Sequence, residues 1–503
     1  MNRKRTLGAL TALVSGAALW ACASITNDVC DYPGACSADG GSSSGDAIAD
    51  TGPAPDSGPC TATGRPYEDG CFGIDGTGVF VNAKAAAGGD GTKGKPFNKL
   101  QDALNKGGRI YVCVSEVAET VTLSGTTPPA TVFGGLDCTG WAATSTKTTV
   151  TGPQGAAALL ATSANKLTFS DFKFVSLSAQ GREADGHGKS SVAAIVSSSK
   201  DLVFTRVEFQ AGDATEGAPG TTESHYTGAK AGAGGIASGS TPGANSDCLA
   251  QCSDGSAGGA AAGGGGAGST GGNGQPLGRE YPTGQVPKKD GTGGMGAVNG
   301  CFDGNPGADG QAKPGGGGGQ PVGALNGAAW TVSGDGTAGT VGEVGQGGGG
   351  GGGKGTGSLA GGGGSCGGCG GGRGLGGKAG GASIALVAIE STIKLQACAL
   401  RAGKGGIGGA GGDGQTGQPA GDIGTGACNG GAGGVGGQGG GGGGGAGGDS
   451  LPLVFKGDAP VDEGSTLTPG VAGSGGKGGS SSAPDPAKGG AGKAGRTDAK
   501  LAL

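Results

Sequence analysis

Three stretches of this chain share one interrupted apolar pattern, and that pattern admits few folds. Residues 167–174 read LTFSDFKF, residues 202–209 read LVFTRVEF and residues 393–400 read IKLQACAL. In each, apolar residues fall at i, i+2, i+5 and i+7. The steps of two are the side-chain period of a strand. The step of three breaks parity, so an unbroken strand would turn half of its apolar side chains outward. A corner at that step returns them to one core, which makes each stretch a strand, a corner and a second strand. Another repeat precedes these: SVAAIV at 191–196, SIALVA at 383–388 and, more faintly, SLPLVF at 450–455. Pro452 in the third copy lacks a ladder donor, which suits an edge or terminal strand.

The like copies lie 35 residues apart (Leu167 to Leu202) and then 191 apart (Leu202 to Ile393). A β-sandwich would join its strands by hairpins every 8 to 12 residues or so. Stacked coils tolerate insertions of any length, because each coil touches only its neighbours. Upstream, residues 78–82 are strand-like and residues 89–104 read GDGTKGKPFNKLQDAL, followed by strand-like runs at 109–114, 120–123 and 131–135. This order resembles the opening of pectin-lyase-like domains. The resemblance implies an all-β chain: a right-handed parallel β-helix, interrupted by long glycine-rich low-complexity insertions. It also implies a short capping helix, with Phe97, Leu100 and Leu104 on one face.

Glycine supplies 132 of the 503 residues, about 26% against a usual 7% or so. Fixing glycine costs the most backbone entropy and buries no side chain in return, so the tracts cannot form ordinary cores. Collagen is excluded, because Pro numbers only 23 and the glycines come in pairs and runs. The coil repeat places the tracts as insertions at 213–381 and 403–449 between coils at 76–212, 382–402 and 450–475, with a Gly/Ala/Lys-rich tail at 476–503. In the second tract GGX triplets recur, as at 405–413 and 430–438. Period three fits extended helices of three residues per turn, packed as closely as only glycine allows; flexible disorder is the other reading. The tracts resemble the glycine-rich repeats of PGRS-type surface proteins. Residues 444–451 fit one calcium-binding nonapeptide around Asp449, but real sites need tandem copies and the neighbours lack the aspartates.

At the N-terminus, Arg3, Lys4 and Arg5 precede an apolar stretch from Leu7 to Trp20, too short for a spanning helix of roughly 20 residues. Residues 1–21 read as a signal peptide. Leu19-Trp20-Ala21-Cys22 resembles the lipobox of bacterial lipoproteins, which implies lipidation at Cys22. The Ala23-Ser24 that follows implies an outer-membrane or cell-surface address. Ordinary secretion, with cleavage near Ala21 or Ala23, is the alternative. Residues 22–75 read as a Ser/Gly/Pro-rich tether carrying local disulfides.

An exported chain sits where disulfides persist. The candidates are Cys30 with Cys36, Cys60 with Cys71, Cys113 with Cys138, and the structural staples Cys248, Cys252, Cys366 and Cys369, with Cys301 read the same way. One cysteine is left over. Cys366-Gly-Gly-Cys369 has redox or zinc spacing, but no second such pair and no histidine lie nearby. No cofactor, metal or catalytic set is expected. His187 and His225 read as solvent-exposed loop side chains, and Asp171, Arg206 and Ala397 form no acidic column. Asp201, Arg206 and Glu208 could share one groove. With a net charge of -5 and no basic patch, nucleic acid is not an expected partner; the membrane, through its anchor, and extracellular polysaccharide or other cell-surface components are. The leading expectation is a lipid-anchored, non-catalytic surface protein displaying glycine-rich loops. The alternative is a polysaccharide-binding or polysaccharide-degrading protein of the same fold.

Overall fold

The computed structural model describes residues 73–503, apart from 245–247, 254, 265–267, 280–281, 285–287, 327–328 and 483–486. It is an all-β structure with almost no helix. Three parallel sheets dominate it. The first runs Val79–Val81, Gly108–Cys113, Ala130–Leu136, Asn165–Ser170, Lys200–Thr205, Ile393–Gln396, Val461–Glu463. The second holds Glu116–Ala118, Thr148–Thr151, Phe172–Val175, Glu208–Gln210, Ala399–Arg401 and Thr466–Thr468. The third holds Val121–Ser124, Leu159–Thr162, Ser191–Ser197, Ser383–Ile389, Ser450–Lys456 and Lys500–Ala502. From residue 108 onward the chain visits the sheets in the same cyclic order, first, second, third.

The corners fall at the steps of three. Asp171, Arg206 and Ala397 hold φ of 62°, 52° and 50°, a left-handed conformation that non-glycine residues adopt at a cost of roughly 1–2 kcal/mol each. The turn sends Phe169 and Phe172, or Phe204 and Val207, into one core from two sheets. The register stacks like on like: Leu167, Leu202 and Ile393 align, as do Phe174, Phe209 and Leu400. Phe169 stacks on Phe204 at 5.9 Å and Phe174 on Phe209 at 5.6 Å between ring centres. Helix α1 (Leu100–Leu104) buries Leu100, Ala103 and Leu104 against the first rungs, and Phe97 packs beside it. Its N-terminal Leu100 N–H donates to Glu119 Oε1 at 2.7 Å. Burial pushes the Glu119 carboxyl above its ordinary range.

The Ser-led strands of the third sheet are apolar throughout because both faces are buried. Ala194 and Leu386 point into the core, whereas Val192, Ile195, Ile384, Val387, Leu451 and Val454 point the other way, under Trp330. Trp330 comes from an antiparallel hairpin, Val322–Asn326 with Ala329–Ser333, inside the first glycine tract. The leading serines mark where coil gives way to glycine. Ser383 Oγ donates to the Gly212 carbonyl and accepts from the Gly403 N–H; Ser450 Oγ does the same with Gly403 and Gly470.

The glycine tracts are not free loops. Residues 434–448 run through the middle of a second body as an extended segment with six hydrogen-bonded neighbours. Every third N–H from Gly434 to Ala446 donates to the segment from Gln346 back to Gly334. The next set, from Gly436 to Gly448, donates to Gln418 back to Gly406, and the third, from Gly441 to Gly447, to Ala487 through Lys493. Three rows of carbonyls accept from Gly368–Gly380, Gly310–Gly319 and Gly479–Gly473 in the same steps of three. Such threefold rows describe extended helices of three residues per turn, which form no internal hydrogen bonds and satisfy their backbone on their neighbours. Close approach is what requires glycine: a Cβ on Gly442 would lie 2.0 Å from the Leu375 carbonyl oxygen. The disorder reading therefore fails for the described segments that line residues 434–448, because each spends its backbone donors on a neighbour.

Two expectations about the C-terminal part change. The C-terminal stretch is no mere tail: Gly489, Gly492 and Gly495 bond into the glycine body, and Lys500–Ala502 adds a parallel strand to Ser450–Lys456. Ser450–Lys456 is thus not an edge. Pro452 lies just outside the stretch that Lys500–Ala502 pairs with, Leu453 to Phe455, so its missing donor does not disturb that pairing.

Candidate functional site

Three disulfides among the described residues staple the glycine body, and a fourth lies in the first coils. Cys113 is bonded to Cys138. Cys366 and Cys369 are bonded to Cys248 and Cys252, around the 3-10 turn Cys248–Ala250, and Cys301 is bonded to Cys428 rather than joining that set. The leftover thiol is Cys398, buried among the core side chains; burial pushes its pKa up. Cys22, Cys30, Cys36, Cys60 and Cys71 lie outside the described residues.

Several charged positions turn out to be paired. Arg206 clasps Asp171 with two hydrogen bonds of 2.8 Å across adjacent corners, and Asp171 is only 2% exposed. Glu208 sits 3.5 Å from both Lys173 and Arg401, the ladder of charge expected on a solvated face. Asp201 is a corner residue (φ 53°) whose N–H donates to Thr392 Oγ1. Asp449, in the nonapeptide-like stretch, is 4% exposed and engaged by Arg496 at 2.5 Å. Among the described residues no group of three His, Cys, Asp or Glu side chains could hold a metal ion.

His187 is no exposed bystander. Its side chain is 17% exposed, with Nδ1 at 2.7 Å from Asp185 Oδ2 and Nε2 at 2.8 Å from Asp335 Oδ1. Lys378 Nζ holds the other Asp335 oxygen at 2.8 Å, and the Ala379 N–H donates to Oδ1. Asp335 lies two residues beyond Ala329–Ser333, so this cluster pins the Trp330 hairpin to the loop at 181–188. His225 lies elsewhere, its backbone N–H on Gln415 Oε1.

Beside the pin is a groove of about 250 Å³, on the part of the third sheet that the hairpin leaves uncovered. Leu160, Val192 and Ile195 form its floor, Trp330 a wall, and Ser190 and Glu183 its rim. Sequence reasoning does not single out Trp330. A signal exists, for Asn326-Gly327 between short apolar runs is the strongest short-range hairpin sign, and it is lost only among the surrounding glycines.

No protein-family model, no curated protein and no solved structure matches this chain. No helix among the described residues is long and apolar enough to cross a membrane.

The pin is expected to weaken in acid. Burial opposes the Asp335 charge, but the Lys378 ammonium, the Ala379 N–H and His187 outweigh it and hold the carboxyl below its ordinary value; the His187 N–H does the same for Asp185. A carboxyl depressed by folding stabilises above its unfolded pKa, about 3.9, and loses that contribution as pH falls through the folded value. Protection of the hairpin amides, taken relative to their intrinsic exchange rate, is expected to hold near neutrality and to fall below about pH 4. Asp335→Asn should speed exchange at neutral pH and flatten the acid response. Unchanged protection in that variant would show that the pin does not hold the hairpin.

Proposed function

We propose that this chain is an exported, lipid-anchored, non-catalytic surface protein, in which a right-handed parallel β-helix carries a rigid glycine body for envelope structure, adhesion or matrix contact. The observation that carries the reading is the six-neighbour packing around residues 434–448. A chain that gathers most of its glycines into two tracts that hydrogen-bond to one another, and fastens them with Cys248–Cys366, Cys252–Cys369 and Cys301–Cys428, is built to hold a shape outside the reducing cytoplasm. The cyclic passage through three parallel sheets supports the β-helix, and the engagement of Asp171, Arg206 and Asp449 in internal pairs supports a structural role for them. The lipobox-like Leu19 to Cys22 supports the anchor. Cys22→Ala is expected to abolish fatty-acid labelling and to shift the protein from the membrane fraction to the soluble fraction. Labelling and partitioning that survive the substitution would refute the anchor.

A further inference from the structure

We propose that the end of the glycine body farthest from the coils is a lipid-contact tip, which seats its apolar side chains at the acyl boundary of a membrane surface. This contact comes in addition to the anchor and does not need the lipid at Cys22.

The long segments reverse direction at this end. The row from Gly334 to Gln346 continues by the same step of three to Gly349, which accepts from the Gly431 N–H. At roughly 3.1 Å per residue, the stretch from Gly431 to Gly448 spans roughly 50 Å, and the coil resumes at Ser450. Three turns lie side by side there. In the turn at 295–302, Gly296 bridges Cys301 and the Phe302 N–H donates to the Met295 carbonyl. In the turn at 354–359, Lys354 bridges both Leu359 and Ala297 of the first turn. The turn at 236–241 joins through the Ala360 N–H, which donates to the Gly239 carbonyl.

The disulfide sets which side chains face out. Alternation along the 295–302 ribbon directs Cys301 inward to Cys428, so Phe302 and Met295, the next pair along, face away from the body. Phe302 is 63% exposed and Met295 62%, and Val298, Leu359 and Ile236 are exposed on the same three turns. Single exposed apolar side chains are ordinary, but a cluster marks a contact site. Residues 236–244, 294–302, 353–361 and 423–430 contain one charged side chain, Lys354. The adjoining Asp303 accepts from the Asn429 N–H.

A lipid surface suits this tip better than a protein. A protein interface of standard size engages roughly 20–30 residues a side and carries about ten direct hydrogen bonds. The tip offers five large apolar side chains, and the Thr356 hydroxyl is already engaged with Val298 and Asn299. Insertion at a lipid interface needs neither breadth nor polar matching. It reaches roughly 5–10 Å, to the boundary of headgroups and acyl chains, which keeps the turn backbone among groups that can bond it. A lone lysine is tolerated there, because its ammonium extends to the headgroups.

The test is vesicle flotation of the exported chain, residues 23–503, which lacks both the apolar signal stretch and Cys22; failure of the anchor reading therefore leaves this test untouched. Vesicles of equal parts phosphatidylcholine and phosphatidylglycerol are the probe. The protein is expected to float with them, and to do so still in about 1 M salt, where charges are screened within roughly 3 Å. Phe302→Asp should lower the partition coefficient by about tenfold or more, in line with the transfer of one large apolar side chain. Val461→Asp changes a side chain of similar exposure, 59%, on the last coil, and should leave binding as it was. Failure to float, binding lost in high salt, equal binding of Phe302→Asp, or an equal loss in Val461→Asp would each overturn the proposal. So would a lipid-free dimer, seen by analytical ultracentrifugation, that Phe302→Asp dissolves, for the tip would then be a contact between copies.

Discussion

Replacing Gly442 by valine is expected to unfold the glycine body while leaving the coils folded. The methyl-bearing carbon would meet the Leu375 carbonyl oxygen at 2.0 Å and its carbon at 2.5 Å. Both are backbone atoms, so no side chain can rotate away. The segment cannot retreat either, because its other flanks are bonded to neighbours equally fixed: Gly442 donates to Gly412 and accepts from Gly479. Ordinary overpacking of a core costs about 1–3 kcal/mol. A clash between two bonded backbones should exceed that. Gly300, which has nothing within 4 Å of an added Cβ, is the control: Gly300→Ala should change little. Hydrogen exchange resolved by segment checks both. Protection lost across 334–346, 406–418 and 434–448 but kept at Phe169, Phe204 and Phe209 is the expected result. Protection unchanged in Gly442→Val would mean that the close packing does not hold the body together.

Removing the paired staples should have the next largest effect. Cys248–Cys366 and Cys252–Cys369 close chain segments of 118 and 117 residues. In the chain-entropy account, a loop of about 100 residues is worth about 4.7 kcal/mol. The two loops nearly coincide, so the second adds little once the first is closed, and the pair together is worth on the order of 5 kcal/mol. Substituting Cys366 and Cys369 together by serine should therefore lower the unfolding transition of the glycine body markedly, whereas substituting Cys369 alone should lower it only slightly. Calorimetry of the three proteins decides this. Equal losses for the single and the double substitution would contradict the shared-loop argument.

The two bodies were legible in the sequence to different depths, for a physical reason. A coil announces itself through side chains. The step of three in residues 167–174, 202–209 and 393–400 places corners at Asp171, Arg206 and Ala397, where the backbone turns left-handed. The Ser-led runs pair in the register that their repetition implies, Ser191 with Ser383 and Ser383 with Ser450. In the glycine body, the triplets convey the three-residue helix but not the choice of neighbours. Gly434 and Gly436 are chemically alike, yet one donates to Gln346 and the other to Gln418. Nothing in a glycine run encodes that difference, because the recognition is backbone to backbone. For the same reason the cysteine partners within the glycine body were not readable, for Cys248 meets Cys366 only once the segments are arranged, whereas Cys113 with Cys138, only 25 residues apart, is paired as the sequence suggests. Lys500–Ala502 is three residues with one charge, too short to carry a period. His187 looked like a lone loop residue because its partner Asp335 lies 148 positions away.

The threefold rows also impose a grammar on changes of length. Each neighbour of residues 434–448 reads every third position. Deleting one residue turns all that follows through a third of a revolution and presents each row to the wrong partner, whereas deleting three removes one turn and leaves every row addressed as before. The rod can therefore be lengthened or trimmed only in whole triplets, so that in its gene the permissible unit of growth is nine nucleotides rather than three.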